Sequence, residues 1–255
     1  MIDNCRIVVV AKTIEESHIE RLDRLYGIGS YDICIPNLVE GLSVKRGRIY
    51  TDDEFLDKEV FNRIFQYSDR KAWYYQQFLK YAIVLGVGYD RVAILDGDTV
   101  VRADVLGNAS FGVTGNKTHQ PYRRMNQKLL NFDGINKYSC VVNYLLFDKK
   151  ILLNAFNYCG ATDLHGFIRK VSETLQSDGG KFSEYQFYAD YALLVDGERY
   201  STHKVNVFRR FDLISTSYIN GLKKYDVVSW EYGHRRDLVR LIAANVFFFF
   251  SLNLS

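Results

Sequence analysis

Arg91-Val92-Ala93-Ile94-Leu95 runs directly into Asp96-Gly97-Asp98. The apolar, β-branched run reads as a strand buried on both faces, as in parallel sheets covered by helices. Two carboxylates on either side of one glycine can converge on a hard cation if the chain turns there, and Gly97 permits a turn. An acidic pair at a strand end can also be an ordinary solvated turn. What surrounds it decides between the two.

Upstream, Asp69 to Leu85 predicts a long helix with an apolar stripe of Tyr75, Phe78, Leu79, Ala82 and Ile83, ended by Gly86 and Gly88. Arg6 to Ala11 is another buried strand, and Thr13 to Leu25 is helical through Ile14, His18, Ile19, Leu22 and Leu25. Tyr31 to Ile35 is a further strand, stopped by Pro36. This β-α-β opening predicts an α/β fold with a mostly parallel sheet flanked by helices. Ligands of such sheets bind outside the carboxyl ends of the strands, where Asp96 and Asp98 stand.

Downstream, Asn108 to Lys137 is polar and basic and reads as loops, and Ser139 to Phe147 as a strand. Asp163 to Leu175 is an amphipathic helix through Leu164, Phe167, Ile168, Val171 and Leu175. Ser183 and Gln186 have capping-box spacing for a last helix. Residues 1–237 are expected to form one catalytic domain, followed by an apolar tail over residues 238–255 containing Phe247 to Phe250. Docked in the core or in a homo-oligomer interface, or lying on a membrane, that tail is too short to span a bilayer.

Composition narrows the classes. Of 255 residues, 33 are basic and 30 acidic, too balanced for a dedicated nucleic-acid binder. The four cysteines lie among apolar residues with no C-x-x-C pair, and no basic leader precedes the first strand; both predict a cytoplasmic protein.

Other residues join the acidic pair. Trp73, Gln77 and Lys80 share one helix stripe, which could offer an amide and an ammonium to phosphates or could be a solvated face. Glu184 falls in a first helical turn, where the dipole favours a carboxylate. It could act as a base toward a hydroxyl, or only stabilise the helix start. His234, beside Arg235 and Arg236, could ligate a cation or be a plain surface histidine. Mn²⁺ or Mg²⁺ on Asp96 and Asp98 would neutralise a diphosphate leaving group as a Lewis acid.

Placed after a buried strand this far into the chain, the D-x-D resembles that of the GT-A glycosyltransferases. Trp73-Tyr-Tyr-Gln-Gln77-Phe-Leu-Lys80 ahead of Ile94-Leu-Asp-Gly-Asp98 is similar to short bacterial cell-surface polysaccharide glycosyltransferases. Ser139-Cys-Val-Val-Asn143-Tyr-Leu-Leu-Phe147 resembles the segment lining their sugar pocket, and Ser183-Glu184-Tyr-Gln-Phe-Tyr188 their acidic helix start. Gly233-His234-Arg235 resembles the C-terminal histidine that completes their metal shell. The resemblance covers most of residues 6–235. It implies a GT-A-like fold and a metal held by Asp96, Asp98 and His234. It implies catalytic roles for Glu184 and Asp98. Donor contacts are expected from Ala11, Lys12, Thr13, Gln77, Lys80, Asp96, Asn143 and Arg235. The substrates would be a nucleotide-sugar and a saccharide or lipid-linked acceptor, met at the inner face of the membrane if the tail is an anchor.

Two rival readings stand beside this one. Val-Ala-Ile-Leu-Asp96-Gly-Asp98-Thr99 also matches the first motif of haloacid-dehalogenase-type phosphatases, with Asp96 as nucleophile. That motif usually occupies the first strand of its fold. A nucleotidyltransferase that makes nucleotide-sugars would open on a glycine-rich loop, which Ala11-Lys-Thr-Ile-Glu-Glu16 lacks.

Overall fold

The computed structural model describes residues 5–38, 42–45, 47–106, 110–133, 136–209 and 224–229. The expectations on His234, Arg235 and the tail over residues 238–255 lie outside the described residues.

The chain opens with β1 (Cys5–Val10), α1 (Glu16–Tyr26), β2 (Tyr31–Ile35), β3 (Ile49–Thr51), α2 (Lys58–Ile64) and α3 (Lys71–Gly86). It continues through β4 (Arg91–Asp96), β5 (Thr99–Val101), α4 (Ala103–Leu106), β6 (Ser110–Val113), α5 (Gln120–Leu130) and β7 (Tyr144–Asp148). Then come α6 (Lys149–Tyr158), α7 (Leu164–Asp178), α8 (Glu184–Val195), β8 (Ser201–Lys204), β9 (Val207–Arg209) and β10 (Val227–Ser229).

The central sheet runs β3-β2-β1-β4-β7. β1 pairs in parallel with β2 and β4, and β2 with β3; β7 is antiparallel to β4 at the other edge. This is the expected α/β architecture with a mostly parallel sheet. Alternation along the strands feeds two cores. Val8, Val10, Val92, Ile94, Leu145 and Phe147 face α3, α6, α7 and α8, while Ile7, Val9, Ala93 and Leu95 pack with Ile19 and Leu22 of α1. Helices on both faces explain why these strands are apolar without interruption.

Most of the expected stripe on α3 is deeply buried, with Phe78 and Ile83 fully so. The aromatic residues fill that core: Phe78 stacks on Phe182 at 5.2 Å, and Phe156 on Phe167 at 4.5 Å. Most of the tyrosines and phenylalanines near α3 are thus packing material.

Three expectations change. Residues 108–137 were expected to be loops, yet they contain β6 and α5. Pro121 at the start of α5 and buried Met125, Leu129 and Leu130 make that segment helical despite its polarity. The strand expected from Ser139 begins only at Tyr144, because Cys140 N–H is taken by the Gln186 side chain rather than a neighbouring strand. Only half of the capping box forms: Ser183 accepts from Gln186 N–H, while the Gln186 side chain turns inward.

Candidate active site

The carboxyl ends of β1 and β4 lie side by side, Val10 opposite Asp96. Gly97 N–H donates to the Val10 carbonyl at 2.8 Å. A Cβ at Gly97 would sit 2.3 Å from Ala11 Cβ and 2.6 Å from Ala11 Cα. Glycine is required here by this close approach, whereas the sequence suggested only freedom to turn; its φ is not left-handed. Asp96 N–H donates to the Asn143 carbonyl at 3.0 Å, and Asn143 has φ of 64°, a left-handed conformation that asparagine tolerates.

α3 carries Lys80 to the same point. Its ammonium lies 2.5 Å from Asp96 Oδ1 and 2.5 Å from Glu184 Oε1. It also sits 4.2 Å from the centre of the Tyr185 ring, whose hydroxyl donates to Asp96 Oδ1 at 2.9 Å. Lys80 is 6% exposed and Glu184 4%. Burial alone would pull Lys80 down, but Asp96 and Glu184 outweigh it and hold the ammonium well above its ordinary pKa. Burial pushes the Glu184 carboxyl up, Lys80 opposes it and Asp96 adds to it, leaving a net rise.

Gln77 Oε1 accepts from Glu184 N–H at 3.2 Å, and Tyr81 donates to the Glu184 carbonyl at 2.7 Å. These bonds fix the first turn of α8 against α3. Gln77 Nε2 is buried and has no hydrogen-bond partner among the described residues.

These groups line a cavity of about 1620 Å³. Nine predicted residues meet on its wall: Ala11, Lys12, Thr13, Gln77, Lys80, Asp96, Asp98, Asn143 and Glu184. The stripe of Trp73, Gln77 and Lys80 also faces this cavity, and Lys80 is committed to two carboxylates rather than solvated.

Among the described residues no group of three His, Cys, Asp or Glu side chains is placed to hold a metal ion. Asp96 and Asp98 nevertheless supply hard oxygen donors, and Mg²⁺-like cations commonly bind one or two carboxylates together with substrate phosphates. The donor chemistry fits a divalent cation that arrives with a diphosphate.

Sequence reasoning missed the support behind this wall. Asp190 is 3% exposed and accepts from Asn126 Nδ2 at 2.7 Å and from Gln186 Nε2 at 3.0 Å. An ionised carboxylate only accepts, so it turns the Gln186 amide nitrogen toward itself. That aims Gln186 Oε1 at Cys140 N–H, 2.9 Å away, and anchors the segment leading to Asn143. Burial pushes the Asp190 carboxyl up to about 7, against the bonds from Asn126 and Gln186. The four-residue spacing of Gln186 and Asp190 on one helix was the available signal.

No protein-family model matches the sequence, and no curated protein matches it either. Solved structures of similar course include the galactosyltransferase LgtC in complex with donor and acceptor sugar analogs. It is 12% identical, with 88% of this chain and 86% of that one covered and a TM-score of 0.43. Mouse xyloside xylosyltransferase 1 in its apo form is 9% identical over 89% of this chain and 98% of that one, with a TM-score of 0.40. The glycosyltransferase GlyE of Streptococcus pneumoniae TIGR4 is 12% identical over 79% of this chain and 45% of that one, with a TM-score of 0.36.

Proposed function

We propose that this chain is a GT-A-like, metal-dependent glycosyltransferase that moves a sugar from a nucleotide-sugar to a saccharide or lipid-linked acceptor. The observation that carries this reading is the charge at the carboxyl ends of β1 and β4. Three carboxylates, Asp96, Asp98 and Glu184, share one cavity wall, and the ammonium of Lys80 is bound between two of them. That surplus of negative charge suits a divalent cation.

Asp98 would ligate the ion directly, Asp96 would contact it through water or hold the donor ribose, and His234 would add a ligand. When bound, Mn²⁺ or Mg²⁺ neutralises the diphosphate leaving group. Ala11, Lys12 and Thr13, following β1, receive the nucleotide and its phosphates together with Asn143 and Arg235. Gln77 Nε2, buried without a partner among the described residues, donates to a donor oxygen. Lys80 holds Asp96 and Glu184 in place and opposes the upward push of burial on the Glu184 carboxyl. Glu184 Oε1 is engaged by Lys80, and Oε2 accepts the proton or hydrogen bond of a substrate hydroxyl. In the transfer, the bond from the anomeric carbon to the diphosphate oxygen breaks, and a bond to the acceptor oxygen forms.

A thermal-shift screen of UDP-, GDP-, CMP- and TDP-sugars, with and without Mn²⁺, tests this reading. One nucleotide class stabilises the protein only with metal; a ligand at a hundred times its Kd adds about 2.7 kcal/mol. No stabilisation by any donor, or equal stabilisation with a chelator, contradicts it. So does a beryllofluoride adduct on Asp96, the mark of the phosphatase mechanism.

A further inference from the structure

The cavity is divided by charge. Around Lys80 lie Asp96, Asp98 and Glu184, yet Arg70, Lys117, His119 and Lys181 also line the same space. Among the described residues, none of these four has a carboxylate within ion-pair distance. Their grouping has a structural basis. Arg70 is the N-cap of α3, ten residues before Lys80. At the rise of an α-helix that places it about 15 Å from Lys80 along the axis.

Tyr74, one turn into α3, meets the backbone of Phe182 and so brings Lys181 to this end. Lys181 N–H donates to the Pro121 carbonyl at 3.3 Å, joining it to the start of α5, which His119 caps. The Arg70 guanidinium lies 4.4 Å from the centre of the Trp73 ring, and His119 lies 5.3 Å from Tyr122. The result is a cationic mouth walled by aromatic rings. Lys12, two residues after β1 and next to Ala11 at the Gly97 contact, belongs to the opposite end.

Cations gathered at one mouth repel each other, and an oxyanion seated among them relieves that repulsion. A donor diphosphate held at Asp98 lies at the Lys80 end of the cavity, about 15 Å of helix rise from the backbone of Arg70. We infer that this mouth binds an oxyanion carried by the acceptor, a phosphate or a sugar carboxylate held away from the point of transfer. The inference rests on the glycosyltransferase reading and adds to it the charge of the acceptor. The aromatic walls of Trp73 and Tyr122 suit the flat faces of the sugar units that carry that charge.

The test titrates three sets of small probes: monosaccharide 1-phosphates, uronic acids and the matched neutral methyl glycosides. Each is added to the protein saturated with Mn²⁺ and the nucleoside diphosphate that binds it. Wild type binds one or both anionic sets at least tenfold more tightly than the neutral set, and the tighter set identifies the anion. In the Arg70→Ala/Lys181→Ala double variant that preference disappears, while nucleoside diphosphate affinity stays within twofold. Equal affinity for all three sets, no binding by any anionic probe, or a preference that survives the double variant overturns the proposal. A parallel loss of nucleoside diphosphate affinity also overturns it, by assigning these cations to the donor. Should no nucleoside diphosphate bind, the glycosyltransferase reading fails by itself, and the same titrations on the ligand-free protein still decide whether the mouth takes an oxyanion.

Discussion

Two charge clusters sit at opposite ends of the same sheet. At the start of β1, Arg6 grips Asp32 of β2 through both carboxylate oxygens, at 2.8 Å from Nε and 2.5 Å from a terminal nitrogen. The other bonds there are also filled: Arg6 donates to the carbonyls of Gly29 and Tyr31, and Arg48 N–H donates to Asp32 at 2.7 Å. Asp32 holds Arg6 further above its ordinary pKa, despite the opposing effect of burial. One guanidinium meets one carboxylate, and the account closes. At the end of β4, one ammonium is divided between Asp96 and Glu184, Asp98 stands beside them, and Gln77 Nε2 has no partner among the described residues. Both clusters are partly buried ion pairs on strand or helix ends. Only the second leaves charge and hydrogen bonding over for a ligand, and that remainder, rather than burial, separates a site from a brace.

The comparison is broken most severely by exchanging roles. Asp98→Ala should lower turnover by at least the ~10²–10³-fold typical of losing one transition-state contact, with an unchanged melting temperature. Asp32→Ala should do the reverse. It leaves the partly buried Arg6 charge without its carboxylate, at a cost of about 1–3 kcal/mol, and lowers the melting temperature without a specific effect on turnover per folded molecule. Kinetics on the soluble fraction and a denaturant titration of each variant check the pair. A stable, inactive Asp32→Ala would erase the distinction.

Lys80→Met sharpens it. Asp96 and Glu184 then face each other without a cation between them, and burial already raises Glu184. One of the two carboxyls then takes up a proton more readily than in the wild type. Activity should fall about 10²-fold and recover partly as pH rises, which a pH-rate profile would reveal. A profile parallel to wild type would show that Lys80 does not set these charges.

A smaller effect is expected behind the wall. Asp190→Asn places an amide where an acceptor-only group stood, so the Gln186 amide turns and offers Cys140 N–H a nitrogen. Losing that bond costs about 1–2 kcal/mol, so turnover should drop about tenfold with little change in donor affinity. The pH dependence has a definite sign. Asp190 is raised from 3.8 to about 7 in the folded protein, so the folded state holds its proton more tightly than the unfolded chain. Stability linked to this group is therefore present below pH 4 and lost as pH rises toward 7. Asp190→Asn should flatten that part of the stability curve, and an unchanged curve would place the titration elsewhere.

Much of this was legible in the sequence because periodicity and strand ends are local signals. β2 was delimited to the residue, and the buried face of α3 and the placement of Asp96 and Asp98 followed from apolar runs and the β-α-β order. α5 was not legible, since its buried face is only four residues set among polar ones. Nor was the true purpose of Gly97, which depends on Ala11, a residue on another strand end. The Lys80 bridge joins residues separated by 104 positions and was invisible for the same reason. Gln186 was misread because a capping box and a buried amide share one spacing, and only the three-dimensional position of Asp190 decides between them.

The central claim is that the acidic end of the sheet holds a divalent cation together with a diphosphate. Titrating Mn²⁺ into protein plus nucleoside diphosphate, while following the electron paramagnetic resonance signal of free Mn²⁺, measures this directly. The account predicts loss of about one equivalent of signal with wild type and with Asp32→Asn, and none beyond that of the nucleotide alone with Asp98→Ala. Equal uptake by wild type and Asp98→Ala, or no uptake by wild type, would contradict it.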